Sequence, residues 1–309
     1  MILNTGCRTD IPAYFSEWFM NRVREGFVMA RNPYNPQLVT HYALDPKVVD
    51  VLCFCTKNPK PMLAHLDELE DFRQFWFVTL TPYGRETEPN VPDKHQVLES
   101  IRQLSEAVGP RHVGWRYDPI FLTEKYSAAF HLRAFEKAAS ALEGRVGFCV
   151  ISFIDLYEKT RRNFPQARAV TADEQRYLAR ELSRIGAEHG IPIRSCCEDE
   201  SLSAFGIDTS GCMTCEVLEK ACDIRLDVPR AKKSPRAACN CLLGADIGAY
   251  NTCPHGCLYC YANYDQEIVK RNMRRHDPTS PLFIGHLHED DIVHDAHQVS
   301  YIPQQLSLF

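Results

Sequence analysis

Three cysteines late in the chain carry the most specific chemistry. Cys253-Pro-His-Gly-Cys257-Leu-Tyr-Cys260 reads C-x3-C-x2-C. Three thiolates on one short loop can wrap one face of a cubane iron–sulfur cluster. Each takes one iron, and a fourth iron is left without a protein ligand. Gly256 lets the loop turn tightly, and Tyr259 precedes the last cysteine. Zinc is the alternative. It wants four ligands, usually in pairs such as C-x2-C with H-x3-H, and His255 inside the loop fits a tetrahedral site poorly.

A second group precedes the loop: Cys196, Cys197, Cys212, Cys215, Cys222, Cys239 and Cys241. Four of these would complete a second iron–sulfur cluster or a zinc site. Cys239-x-Cys241 can fill two corners, and Cys212-x2-Cys215 is an equally good local pair. A zinc-stapled loop with no redox role, or a set of disulfides, are the alternatives. Clustered cysteines in a reducing cytosol more often bind metal. The segment shows little regular pattern, so it is expected to gain order from a metal rather than from a core. Cys7, Cys53, Cys55 and Cys149 have apolar or strand-like neighbours and read as buried small hydrophobes.

A third group of polar residues follows the apolar runs. These are Cys7-Arg8-Thr9-Asp10, Thr56-Lys57-Asn58-Pro59, Thr79-Leu80-Thr81, Arg116-Tyr117-Asp118-Pro119 and Ser152-Phe153-Ile154-Asp155. In parallel α/β barrels the carboxyl ends of the strands build the site. Arg8, Lys57 and Arg116 would hold anionic groups there, and Asp10, Asp118 and Asp155 would pair with them or handle protons. The alternative makes these residues turns and structural ion pairs.

The elements that must position these residues alternate. Apolar, β-branched runs at Lys47–Cys55, Phe75–Leu80, His112–Arg116, Val146–Ile154 and Ile191–Arg194 read as strands, with Met1–Asn4 as a short first one. Pro92–Val108 places Val97, Leu98, Ile101, Leu104 and Val108 on one helix face and stops at Gly109-Pro110. Thr123 is expected to cap a helix running to about Leu142. Thr171 and Glu174 make a capping box for a helix carrying Leu178, Leu182 and Ile185. Strand–helix alternation at this spacing means a parallel sheet, either a barrel or doubly wound.

Composition fits a folded soluble protein: 309 residues, 45% apolar and 24% charged. No run approaches the roughly 18 to 20 apolar residues of a membrane span. The start, MILNTGCRTD, lacks a signal peptide's basic and apolar regions, so a cytoplasmic location is expected. A net charge of −5 argues against a globally basic nucleic-acid binder. Arg161-Arg162, Arg230–Lys233 and Lys270–Arg275 read as solvated surface. His286 and His288 alternate on an expected strand, Leu282–Leu287, and His294 and His297 share an expected helix face. Exposure is the reading for these four, with a metal site as the alternative. Gln304–Phe309 is expected to be a tail.

The cysteine spacing, with an aromatic before the third cysteine, resembles the signature of the radical S-adenosylmethionine superfamily. Tyr261-Ala262-Asn263 is similar to the Cys-Tyr-Cys-Tyr turn of the spore photoproduct lyase branch. Nearly the whole chain resembles the uncharacterised DUF1848 family. The matching stretches are Arg8-Thr9-Asp10-Ile11-Pro12, Arg31-Asn32-Pro33, Thr56-Lys57-Asn58-Pro59, Trp115-Arg116-Tyr117-Asp118-Pro119, Ile151-Ser152-Phe153-Ile154-Asp155, and Asp246-Ile247-Gly248 leading to Cys253. It departs at Cys7 and Cys55, where the family pattern has Arg and Trp, so no role passes to those positions.

The resemblance implies a [4Fe-4S] cluster on Cys253, Cys257 and Cys260, with S-adenosyl-L-methionine on its open iron. It also implies an electron donor such as a flavodoxin or ferredoxin, and a 5′-deoxyadenosyl radical that abstracts hydrogen from an unknown substrate. Tyr259 and Glu198 are expected beside the cofactor, with Arg8, Asp10, Lys57, Arg116, Asp118 and Asp155 in the mouth. The resemblance favours Cys196, Cys212, Cys239 and Cys241 as the second ligand set. The cluster loop of the superfamily normally follows the first strand near the N-terminus. Here Ala245–Tyr250 would be that strand, with a helix near Gln266–Arg274 behind the loop. That makes a circularly permuted barrel or partial barrel, which neighbouring termini make cheap. An accessory ferredoxin-like tail is the alternative. The expected organisation is a barrel core over 1–195, a cysteine-rich segment over 196–244 and the closing part over 245–309. Two other classes remain: an iron–sulfur electron-transfer or redox-sensing protein, and a zinc-stabilised nucleic-acid-binding or repair module.

Overall fold

The computed structural model describes residues 1–229, 239, 241, 242 and 244–303. The basic patch Arg230–Lys233 and the tail Gln304–Phe309 lie outside the described residues. In chain order the elements are β1 (Ile2–Asn4), α1 (Ile11–Tyr14), α2 (Ser16–Glu25), β2 (Phe27–Arg31), β3 (Leu38–Ala43), β4 (Val51–Thr56), β5 (Gln74–Thr79), α3 (Lys94–Val108) and β6 (Val113–Ile120). They continue with α4 (Ala128–Leu142), β7 (Phe148–Phe153), α5 (Glu158–Asn163), α6 (Ala172–Glu188), β8 (Ile193–Ser195), α7 (Cys215–Cys222), β9 (Ala245–Asp246), α8 (Gln266–Met273) and β10 (Ile292–Asp295).

Seven strands form one sheet in the order β8-β7-β6-β5-β4-β1-β9, and every pairing is parallel. The mixed α/β class with a parallel sheet is therefore as the alternation predicts. Among the described residues β8 and β9 each have one neighbour, so the sheet is open and no closed barrel forms. The strand expected over Ala245–Tyr250 pairs only through Ala245 and Asp246, opposite Leu3 and Asn4. Gly244 allows that approach, because a Cβ there would lie 2.3 Å from the Ile2 carbonyl oxygen.

Strand alternation divides the core. In β4, Leu52 and Phe54 join Trp76, Val78 and Trp115 against Ile101, Leu104, Phe135, Leu178 and Leu182 of the helices. Phe54 stacks on Trp76 at 3.9 Å, and Trp115 stacks on Phe135 at 4.7 Å, between ring centroids. Val51, Cys53, Phe75, Phe77 and Val150 face the other way and meet Met213, Val217, Leu218 and Leu226. The cysteine-rich segment is thus the second cover that a parallel sheet requires. This corrects the expectation that the segment lacks apolar patterning. Thr214 caps α7 through the Val217 N–H, and α7 buries Val217, Leu218 and Ala221.

Two helix starts show local chemistry deciding a boundary. The capping box of Thr171 and Glu174 opens α6 as the spacing predicts. Thr123 does not open α4, because its hydroxyl accepts the Tyr126 N–H at 3.0 Å in a turn, and Ser127 caps the helix instead. A small sheet, β10-β3-β2, lies apart from the large one, with β10 parallel to β3. Leu282–Leu287 is not a strand, and His294 lies in β10 rather than on a helix. The four late histidines are exposed, as expected. No described helix is long and apolar enough to cross a membrane.

Candidate functional site

The C-x3-C-x2-C loop is seated by its backbone, not by its thiols. Asn90, in the chain that follows β5, donates its backbone N–H to the His255 carbonyl at 3.1 Å and its side-chain amide to the Pro254 carbonyl at 2.7 Å. Leu258 N–H reaches the Thr87 carbonyl at 3.0 Å, and the Asn263 amide reaches the Cys253 carbonyl at 2.8 Å. Gly256 takes φ of +71°, a left-handed value that glycine adopts without a Cβ penalty. The loop therefore lies at the carboxyl end of the sheet. Among the described residues the three thiols make no hydrogen bond to one another. Burial pushes the Cys253 thiol well up, helped by Asp10, and pushes Cys257 up to about 12 against the opposing charge of Lys57.

Two polar chains tie the loop to β1, β4 and β5. In the first, the His255 Nε2 lies 2.8 Å from the Asp10 carboxylate, and its Nδ1 lies 3.0 Å from the Tyr14 hydroxyl. Asp10 also accepts the Lys57 N–H at 2.7 Å and caps α1. In the second, Glu88 is 1% exposed and accepts from Lys57 Nζ at 2.8 Å, Lys94 Nζ at 2.5 Å, Thr81 at 2.6 Å and the Tyr259 hydroxyl. Burial opposes the Glu88 charge, but Lys57 and Lys94 hold its carboxyl down at about 2. Burial also opposes the Lys57 charge, and Glu88 followed by Cys257 raises its pKa overall.

That depressed carboxyl sets an acid dependence. An unfolded glutamate titrates near 4.3, so between about pH 4.5 and 2 the unfolded chain binds more protons than the folded one. The Glu88 contribution, ~3 kcal/mol, is complete above that window and is lost as pH falls through it. Urea unfolding of Glu88→Gln should show less loss between pH 5 and 3 than the parent chain. Equal slopes would contradict the assignment.

The other predicted residues are distributed as follows. Arg116 lies within β6 rather than beyond it. It pairs with Asp118 through Nε at 2.9 Å and through Nη2. Asp118 also accepts from Ser152. Arg116 and Lys57 both lower the Cys55 thiol, but burial outweighs them and leaves it at about 11. Cys55 is half-buried among these charges and Cys7 is exposed, so neither is the buried hydrophobe expected. Cys53 and Cys149 are buried. Arg8 reaches the carbonyls of Asp246 and Gly248 at 3.3 and 3.4 Å, and the Asp246 carboxylate at 3.8 Å. Glu198 accepts the Phe153 N–H at 2.7 Å, and burial with nearby Asp118 and Asp155 pushes its carboxyl up to about 8. Glu198 is therefore largely protonated at neutral pH. Asp155 is exposed and accepts from the Tyr157 hydroxyl at 3.2 Å.

In the second cysteine group, Cys212 Sγ lies 3.5 Å from Cys196 Sγ and 3.2 Å from Cys241 Sγ. Hydrogen bonds from Cys197, Cys212 and Cys241 hold the Cys196 thiol far below its usual range. Cys215 opens α7 and Cys222 closes it, with Cys222 near the Gln74 carbonyl, and among the described residues the Cys215 thiol bonds no other cysteine. The thiols of Cys196, Cys212 and Cys241 thus form one contact cluster.

Sequence reasoning missed Glu88, Asn90 and Tyr14, and it read His255 only as a poor zinc ligand. Glu88 sits in a proline-rich connection where a charge reads as solvated. Its one signal is position, seven residues past Thr81 at a strand end.

A family model described as "Domain of unknown function (DUF1848)" matches residues 2–262. No curated protein matches the chain. Among solved structures, the FimX EAL domain of Xanthomonas citri in complex with c-diGMP is similar at 12% identity, over 63% of this chain and 87% of that one. Its TM-score of 0.22 is too slight to bear on fold or ligand.

Proposed function

The chain belongs to the DUF1848 family, and from that premise we propose that it is a radical S-adenosylmethionine enzyme acting on an unknown substrate. The observation that carries this reading is the seat of the C-x3-C-x2-C loop at the carboxyl ends of β1, β4 and β5, beside Asp10 and Lys57. The sheet order supports it too. Read from β9 through β1, β4, β5, β6 and β7 to β8, neighbours follow one another as in a (β/α) partial barrel whose first strand has been moved to the end of the chain. The reading keeps 1–195 as core, 196–244 as a cover and 245–309 as the closing part.

The donor set fits a [4Fe-4S] group. Three thiols share one loop, none is bonded to another among the described residues, and the bonds that seat the loop on the chain after β5 come from its backbone. Cys253, Cys257 and Cys260 would hold the cluster, and with S-adenosylmethionine it supplies one-electron, hydrogen-abstracting chemistry. The protein's own part is positional. Asp10 and Tyr14 fix the His255 ring from both sides, which fixes the loop. Lys57 offsets negative charge at Cys257. Lys57 Nζ lies over the Tyr259 ring, 5.6 Å from its centroid. Arg8 and Arg116 add positive charge near the mouth, and the Glu198 carboxyl, which burial raises to about 8, can donate a hydrogen bond there. An electron donor of flavodoxin or ferredoxin type completes the reading.

The test is anaerobic reconstitution with iron and sulfide, then dithionite and S-adenosylmethionine, with chromatography for 5′-deoxyadenosine. The proposal expects brown protein and deoxyadenosine. Brown protein without deoxyadenosine would make it an electron carrier or redox sensor. Colourless protein that takes up only zinc would make it a zinc-stapled module.

A further inference from the structure

We infer that Cys196, Cys212 and Cys241, joined by Cys239, form a structural site for one tetrahedral divalent cation of zinc type, not a second iron–sulfur cluster. The argument is one of separation. A cubane places each thiolate outside its own iron, which keeps ligand sulfurs beyond contact with one another. A single zinc with bonds of about 2.3 Å holds its thiolates about 3.8 Å apart. Cys212 Sγ stands 3.5 Å from Cys196 Sγ and 3.2 Å from Cys241 Sγ. These sulfurs already touch, so they need only spread by a fraction of an ångström to take one ion. The thiols of the C-x3-C-x2-C loop, which share a loop of eight residues, make no such contacts among the described residues.

The surroundings suit a thiolate centre. The three cysteines come from separate stretches: after β8, before α7 and before β9. Four thiolates around a divalent ion carry two excess negative charges. The Arg116 guanidinium donates to Cys212 Sγ at 3.5 Å, and the Met213 N–H donates to Cys241 Sγ at 3.4 Å, which offsets part of that charge. Leu242 N–H adds a backbone bond to the Met213 carbonyl at 2.7 Å, so the two stretches are already aligned. Cys239, two residues before Cys241, is inferred as the fourth thiolate from that spacing, and Cys197, which hydrogen-bonds Cys196, is the competitor that the variants below distinguish. The ion staples the cover of the sheet to the strand that carries Arg116. This inference does not rest on the radical reading and stands if that reading fails.

The experiment is elemental analysis of the full-length reconstituted protein and its variants. The parent chain should hold about one zinc beside the cluster iron. Cys212→Ser and Cys241→Ser should lose the zinc, keep the iron and melt at lower temperature, while Cys197→Ser and Cys215→Ser keep both. If the serine variants do not fold, the parent protein serves. Titration with an organomercurial in the presence of a coloured zinc chelator should release zinc as four thiols react, and cobalt substitution should give the absorption of a tetrahedral tetrathiolate. Loss of about four irons from Cys212→Ser would identify a second cubane and overturn the proposal. So would a parent chain that takes up no zinc, or loss of zinc from Cys197→Ser but not from Cys239→Ser.

Discussion

Replacing Cys253, Cys257 and Cys260 together by alanine is expected to strip about four irons from each chain, the content of one cubane, while the fold persists. The second half of that expectation comes from the backbone. The loop is held by Asn90, by Leu258 to Thr87, by Asn263 to Cys253 and by the His255–Asp10 pair, and none of these uses a thiol. The variant should therefore melt close to the parent, and its charge-transfer absorption should vanish. Iron that stays would show that the loop is not the ligand set. A large fall in melting temperature would show that the thiols, not these hydrogen bonds, hold the loop.

Lys57→Ala is expected to cost about 3 kcal/mol or more of stability, the lower part of the range for removing one partner of a buried pair. Glu88 would stay buried with Lys94 as its remaining cation. Lys94 keeps the loss from reaching the top of that range. Adding Glu88→Gln removes the stranded charge, so the double variant should be more stable than the sum of the single ones predicts, by over 1 kcal/mol. Urea unfolding of the four chains measures this. Strict additivity, or a single-variant cost under about 1 kcal/mol, would mean that Lys57 is not structurally committed to Glu88 and is free to serve a ligand. The geometry thus places Lys57 nearer to the ion-pair account than its position past a strand suggests.

What could be read from the sequence was local. Thr171 and Glu174 sit three apart and make their own capping box, so α6 needed no tertiary context. Runs such as Val51-Leu52-Cys53-Phe54 carry side chains for both faces of the sheet, so strand existence was legible while the identity of the second cover was not. The antiparallel pair β2 and β3 went unread because its strands are mostly half-exposed, and β10 is exposed along its whole length. The site shows the same limit. Cysteine spacing announces the loop, but Asp10 meets His255 across 245 residues, and no local rule connects them. Glu88 is hidden by its connection, since only the fold brings two lysines, a threonine and a tyrosine onto one carboxylate. The thiol contacts of Cys196, Cys212 and Cys241 depend on how the segment lies over Phe77 and Val150, which spacing does not encode.

The edge strand β9 has a consequence for how the protein is made. β1 emerges from the ribosome about 240 residues ahead of β9, which at 5 to 20 residues per second is a delay of roughly 12 to 50 s. Throughout that interval the outer edge of β1 offers unpaired backbone groups, the kind of edge that recruits other strands. Asp10, Lys57 and Glu88 likewise wait for their partners on the cysteine loop. Every newly made molecule therefore passes through a stage in which the mouth lacks its cysteine loop. A ribosome stalled before residue 245 yields a chain in which that edge of β1 stays uncovered.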